Sequence, residues 1–278
     1  GKECANDKKR PAGIGEEKGL AYTDGFNHPD IIPGQGTAGL EIGRQVPDLD
    51  AVIVPVGGAG LLAGVSLAVK TLRPEAKVIG VEADHVASFT AALKAGKPVF
   101  IKTSPTLADG LAIAQVGGNA FEIASKHTDK TVLVTAEQIA LAILRVVELE
   151  KGVVEGAAAT PLAACMSGQL DELKGKRVVL LLCGGNIDPN VLSRVIERGL
   201  VADGRLSRFR AIISDRPGGL ADLAPQLAPA RASISQVVPH RALAGADAPA
   251  VQVTSPGQQR PPPPPARPPH QTQRAPPP

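Results

Sequence analysis

Apolar and polar positions along this chain alternate between two periodicities. From residue 19 to 200, runs of four to six aliphatic residues bounded by Gly, Asp or Pro are separated by longer stretches with an apolar position every three or four residues. The short runs predict buried strands and the longer stretches amphipathic helices. Helices are predicted over Gly34–Val46, Leu61–Leu72, Val86–Ala95, Ala136–Lys151, Gly156–Ser167 and Asn190–Arg198. Strands are predicted at Ala51–Val56, Lys77–Val81, Thr131–Val134 and Arg177–Leu182. Pro74, Gly96 and Gly152 close three of the helices. This alternation predicts an α/β domain over 19–200, an open and mostly parallel sheet with helices on both faces.

The ends read differently. Residues 1–18 are polar and without periodicity, and are expected to form a disordered leader. A composition change marks a linker at 201–207, after which the order becomes strand (Phe209–Ile213), turn into helix (Asp215–Leu220), strand (Ser233–Val238) and strand (Val251–Thr254). That β-α-β-β order over 208–254 is the first part of a ferredoxin-like α+β unit, its one helix expected to be interrupted by Pro225 and Pro229. Residues 255–278 form a proline-rich tail, with 11 prolines in the last 23 residues, expected to be polyproline II or disordered.

Charge and composition narrow the function. The formal net charge of +3 comes from Arg260, Arg267 and Arg274 in a tail without acidic residues; the remainder carries 27 charges of each sign. A neutral globular part gives no electrostatic case for nucleic acid or membrane partners. With one Tyr, five Phe and no Trp, stacking platforms for bases are nearly absent. Three widely spaced cysteines (Cys4, Cys165 and Cys183), no long apolar run and no signal-peptide pattern predict a cytoplasmic protein without a disulfide framework or metal site.

The densest chemical signal is Asp50–Lys70, DAVIVPVGGAGLLAGVSLAVK, a strand that breaks at Gly57, Gly58 and Gly60 and resumes as a helix. Glycines let a backbone approach a ligand closely, and the helix start presents free N–H groups to a phosphate. The plainer reading is an ordinary strand-to-helix turn. A third reading is a nicotinamide dinucleotide site: Gly58 to Ala63 satisfies G-x-G-x-x-A, with Glu82, 24 residues on, as the ribose-binding acid. A second glycine turn, Gly184-Gly185-Asn186, stands at another strand end, and two such turns suit a small phosphorylated cofactor.

Six motifs in order carry a resemblance: FNHPDIIPGQGTAGLEI (26–42), VPVGGAGLLAG (54–64), VIGVEAD (78–84), TLADGLAI (106–113), VVEGAAA (153–159) and LLCGGNID (181–188). Together they resemble the carboxyl-terminal half of a threonine/serine dehydratase (ammonia-lyase) of the pyridoxal-phosphate fold-type II class. DRPGGL (215–220) resembles the opening of an ACT regulatory domain, and serine racemases share several of the motifs.

The resemblance implies a pyridoxal 5'-phosphate site in which Gly57, Gly58, Ala59, Gly60 and Leu61 cradle the phosphate. Ala59 stands where the family usually has glycine, and its methyl group is comfortable only at negative φ. Cys183 corresponds to the Ser/Cys that meets the pyridine nitrogen; otherwise it is an ordinary strand-end cysteine. Glu155 is placed near the cofactor ring, or else is a solvated acid at a helix start; Asn186 orients the same end of the cofactor or shapes its turn. Asp109 and Gly110 line the mouth of the site or make a loop, and Glu82 reads as a strand-end carboxylate. The implied reaction takes threonine or serine to a 2-oxo acid and ammonia, with an amino-acid effector at the ACT-like end and a homo-oligomeric full-length form.

One part is missing. The family's Schiff-base lysine sits in S-F-K-x-R-G-A and its substrate-carboxylate loop in S-x-G-N-H, and neither segment occurs here. Lys70, Lys102 and Lys151 lack that context, so no catalytic residue is assigned. The resemblance implies a fragment that keeps the phosphate and ring contacts and is inactive alone.

Overall fold

The computed structural model describes residues 17–21, 23–212, 218–227, 236–240 and 250–256. The chain divides into two compact units, Gly1–Ala202 and Asp203–Pro278. The proline tail beyond Pro256 and most of the expected leader lie outside the described residues.

In the first unit, helix α1 (Ile31–Gln45) precedes strand β1 (Ala51–Pro55), α2 (Gly60–Leu72), β2 (Lys77–Ala83), α3 (Ser88–Ala95) and α4 (Gly118–His127). Strand β3 (Lys130–Val134), α5 (Ala136–Arg145), α6 (Gly156–Met166), β4 (Val178–Leu180) and α7 (Pro189–Ala202) follow. The four strands form one sheet in the order β3-β2-β1-β4, every neighbouring pair parallel. This is the α/β class expected from the sequence.

β1 is fully buried along its length, because helices cover both faces, as parallel sheets require. Its alternating side chains feed two cores. Ala51 and Ile53 join Ile79, Val81 and residues of α5, α6 and α7; Val52 and Val54 join Val78 and residues of α1, α2, α3 and α4. α1 and α2 touch backbone to backbone, since a Cβ on Gly64 would lie 2.4 Å from the Ile32 carbonyl oxygen and 2.5 Å from the Gly36 nitrogen.

Several boundaries differ from expectation, each for a local reason. α4 has no counterpart in the periodicity: its start is held by Asn27, whose Oδ1 accepts the N–H groups of Asn119 (2.8 Å) and Ala120 (3.3 Å) from 92 and 93 residues away. α5 opens with a capping box between Thr135 and Gln138 but ends as α-helix at Arg145, passing into a π-helical turn over Val146–Glu150. Lys151 closes that turn at φ 57°, where a Gly152 stop was expected. β4 covers only Val178–Leu180 of the predicted Arg177–Leu182.

In the second unit, β5 (Leu206–Ile212), α8 (Gly219–Leu227), β6 (Gln236–His240) and β7 (Ala250–Pro256) form an antiparallel sheet of order β5-β7-β6 with one helix. α7 runs to Ala202 and β5 begins at Leu206, so only 203–205 connect them within the expected linker. α8 continues through Pro225, contrary to the expected interruption there; Pro229 lies outside the described residues. No helix among the described residues is long and apolar enough to cross a membrane.

Candidate functional site

The site grows from the end of β1. Val56 still donates to the Val81 carbonyl at 2.8 Å, and the chain then turns through Gly57, Gly58 and Ala59 into α2. Ala59 takes the left-handed conformation, φ 71° and ψ 2°, and is buried. The expectation that its methyl group demands negative φ is therefore corrected: the turn keeps the glycine-type geometry and Ala59 carries the strain, of order 1–2 kcal/mol. The first intrahelical bond runs from Ala63 N–H to the Ala59 carbonyl at 2.8 Å, and no side chain caps the helix. Helix geometry thus leaves the leading N–H groups of α2 without partners inside the helix.

These N–H groups border a cavity of about 260 Å³. Gly57, Gly58, Ala59, Gly60 and Leu61 all line it, and so do Glu155 from the start of α6 and Cys183 from the loop after β4. Asn186 does not line it. Its backbone N–H instead donates to Glu155 Oε2 at 3.1 Å, while Glu155 N–H donates to the Gly184 carbonyl, also at 3.1 Å. Glu155 precedes α6 yet does not cap it with its side chain, which turns to the 183–186 loop. A Cβ on Gly184 would stand 2.6 Å from Glu155 Oε1, so glycine there makes room for the carboxylate.

Cys183 has an exposed residue surface, but the packing around its sulfur withdraws enough water to push the thiol up from its ordinary value. A backbone hydrogen bond opposes this without cancelling it, and the Glu155 carboxylate adds a smaller upward push. The thiol is neutral at pH 7, a weak donor and weak acceptor rather than an ion. Gly110 reaches the cavity wall, whereas Asp109 is spent on the Gly110 N–H at 2.9 Å.

Glu82 belongs to none of this. It is fully buried, and its oxygens accept from Phe89 N–H (2.7 Å), Thr90 N–H (2.9 Å) and the Thr90 hydroxyl (2.5 Å), capping α3 from the preceding strand. That places it out of reach of a dinucleotide ribose. Sequence reasoning also missed contributors to the cavity wall: Phe26, Leu111 and Ala157. Phe26 stands in the quoted FNHPD segment, but an aromatic residue in a loop carries no signal of what it covers. A larger apolar groove of about 560 Å³ lies among α1, α2 and α4, with Asn119 and Glu122 its only side chains able to orient a polar ligand and no predicted site residue in its wall.

Comparison with known proteins identifies the family. A family model described as pyridoxal-phosphate dependent enzyme matches residues 4–184. Over 228 residues the chain is 43% identical to an L-threonine ammonia-lyase of Thermotoga maritima, covering 82% of this chain and 56% of that protein. The solved processed form of threonine deaminase isoform 2 from Solanum lycopersicum is similar at TM-score 0.65 and 37% identity, over 67% of this chain and 55% of that one. Serine racemase from Dictyostelium discoideum is similar at TM-score 0.59 and 34% identity, over 65% and 58%. The chain spans about half the length of the curated relatives it matches.

Proposed function

The chain belongs to the pyridoxal-phosphate-dependent enzyme family, and from that premise we propose that its cavity holds the phosphate and ring-nitrogen ends of pyridoxal 5'-phosphate in a threonine/serine ammonia-lyase. The observation that carries this reading is one cavity with an uncapped helix start on one side and a neutral thiol on another. The donor set fits the group. An anionic phosphate suits the unpartnered N–H groups and positive dipole end of α2, and a pyridine nitrogen suits a neutral hydrogen-bonding partner.

When bound, the cofactor supplies an electron sink for removal of the amino acid's α-proton and loss of its β-hydroxyl. The work of this chain's own residues is then specific. The N–H groups from the turn into α2, with Gly58 and Gly60 among its residues, hold the phosphate. Cys183 meets the ring nitrogen through a neutral thiol, which cannot stabilise a full positive charge there as a carboxylate would. Glu155 fixes the loop that carries Cys183 by accepting the Asn186 N–H. Gly110 and Leu111 close the wall beside them.

No lysine among the described residues lines the cavity. Lys70 is paired with Asp129 at 2.8 Å, and Lys151 donates to the Glu148 carbonyl at 2.6 Å. The chain alone therefore binds the cofactor without covalent attachment and does not turn over. Threonine is the favoured substrate of the whole protein, because relatives named for threonine match over most of this chain. The second unit, with its β-α-β-β order, is proposed to take an amino-acid effector.

Titrating the purified chain with pyridoxal phosphate, followed by borohydride treatment and a 2-oxo acid assay with threonine or serine, tests this. Saturable binding without a trapped lysine adduct is expected. Absence of binding overturns the cofactor reading, and turnover overturns the claim of inactivity.

A further inference from the structure

Three glycines near the cavity are explained by a neighbour other than a phosphate. A Cβ on Gly58 would lie 2.3 Å from Cγ and Cδ2 of Phe26 and 2.7 Å from Cδ1, so the ring rests directly against the Gly58 Cα. A Cβ on Gly60 would lie 2.5 Å from the Phe26 carbonyl oxygen and 2.8 Å from its Cα. A Cβ on Gly117 would meet Asn27 Oδ1 at 2.4 Å. These separations are far inside van der Waals contact, so each glycine is required by the 26–27 segment whatever occupies the cavity.

The same segment is tied down on its other side. Asn27 Oδ1 accepts the first-turn N–H groups of α4, Asn119 Nδ2 donates to the Asn27 carbonyl at 2.9 Å, and Gly117 N–H donates to the Gly58 carbonyl at 3.1 Å. Phe26, Asn27, Gly117 and Gly58 thus form a closed chain of contacts between the start of α4 and the glycine turn. Phe26 is half-buried and reaches the cavity wall.

We infer that Phe26 is a positioning residue for the phosphate cradle: its ring, anchored through Asn27 to α4, fixes the orientation of the Gly58 and Gly60 peptides and so aims the N–H groups of the turn. This inference rests on the phosphate reading above. The turn needs such a support because its own sequence supplies none. Three of its four residues are glycine and the fourth, Ala59, is in a strained conformation with no capping side chain. A flexible turn holds N–H groups poorly, and a misaligned hydrogen bond to an anion loses most of its strength.

The test compares pyridoxal phosphate with pyridoxal, which lacks only the phosphate, by equilibrium titration of the full chain. Wild type prefers the phosphorylated form. In Phe26→Ala that affinity falls about tenfold or more, the worth of one or more charge-assisted hydrogen bonds, while pyridoxal affinity falls much less. Phe26→Leu falls between and carries the same readout should the alanine variant not fold. Phe121→Ala is the control; it removes a buried ring that meets Phe89 edge-on with centroids 6.1 Å apart, outside the cavity wall. It lowers the melting temperature and leaves the preference intact. A preserved preference in both Phe26 variants overturns the positioning role, as does an equal loss for both ligands. No preference in wild type overturns the phosphate reading and this inference together.

Discussion

Removing the Glu82 carboxylate is expected to destabilise the first unit far more than a surface glutamate would, and with a pH signature. Glu82→Ala strands the Phe89 and Thr90 N–H groups at the start of α3 and the Thr90 hydroxyl, all satisfied by one carboxylate. A buried orphaned donor costs about 1–3 kcal/mol, and the two backbone N–H groups alone set a scale of about 4 kcal/mol before relaxation. Relief from burying a carboxylate offsets part of this, leaving about 3 kcal/mol, a large share of the roughly 5–15 kcal/mol that holds a domain together. Glu82→Gln keeps one acceptor but points an amide N–H₂ at the Thr90 N–H, and is expected to cost about 1–2 kcal/mol. Desolvation raises the Glu82 pKa above its ordinary 4.5, outweighing the hydrogen bonds from Thr90 and Phe89 that lower it. The native state then binds more protons than the unfolded chain in the window above 4.5, so this group's contribution falls as pH rises through that window and is constant beyond it. His127 works in the opposite sense: burial and the nearby Lys70 and Lys126 lower its pKa, so its contribution grows as pH rises toward 6.5. The difference between wild type and Glu82→Gln isolates Glu82. Urea unfolding from pH 4.5 to 8 measures it. A Glu82→Ala stability within about 0.5 kcal/mol of wild type would refute the capping role, and an unchanged pH profile in Glu82→Gln would refute the upward pKa shift.

Gly64→Ala drives a methyl group into the Ile32 carbonyl and Gly36 nitrogen, so α1 and α2 must separate; a loss of roughly 3 kcal/mol is expected in urea unfolding, and a near-neutral result would contradict the contact. Thr135→Ala removes half of the α5 capping box and is expected to lower stability by about 1 kcal/mol, read from the melting temperature. Ala59→Gly relieves about 1–2 kcal/mol of left-handed strain but loses about 0.4–1 kcal/mol to unfolded-state entropy and about 0.8 kcal/mol of methyl burial. A net change within about 1 kcal/mol is therefore expected, and a gain above 2 kcal/mol in denaturant midpoint would show that one of these contributions is misjudged.

What the amino-acid pattern revealed of this fold was whatever is encoded locally. β1, the glycine turn and α2 follow one another in the sequence, so an apolar run, three glycines and a helical period sufficed to place them. α4 escaped because its defining feature, the Asn27 cap, comes from the other side of the glycine turn. Glu82 was misleading for the same reason: spacing from Gly58 matches a ribose-binding acid, but its partners are in α3. The π-helical turn after Arg145 was hidden because Val146, Val147 and Leu149 continue an acceptable helical pattern. At the site, Cys183 and Glu155 were found through motif resemblance and do share the cavity wall with the turn, whereas Asn186 contributes a backbone N–H to Glu155 that no side-chain reasoning could foresee.

The glycines sharpen the point. A glycine-rich turn before a helix is usually read as room for a ligand, yet a side chain at Gly58 or Gly60 would strike Phe26 before it reached anything in the cavity. Gly184 makes room for Glu155, and Gly156 for the Leu107 carbonyl, which a Cβ would approach to 1.9 Å. The one turn residue whose conformation calls for glycine, at φ 71°, is alanine. Glycine in this site therefore marks where protein segments press on the cavity wall. In the proposed site the phosphate is met by backbone N–H groups, whose direction depends on those segments. Since any residue but proline has an N–H to offer, substitutions that preserve the wall, such as Ala59 at about 1–2 kcal/mol of strain, are tolerated, while those that displace Phe26 or Glu155 are not.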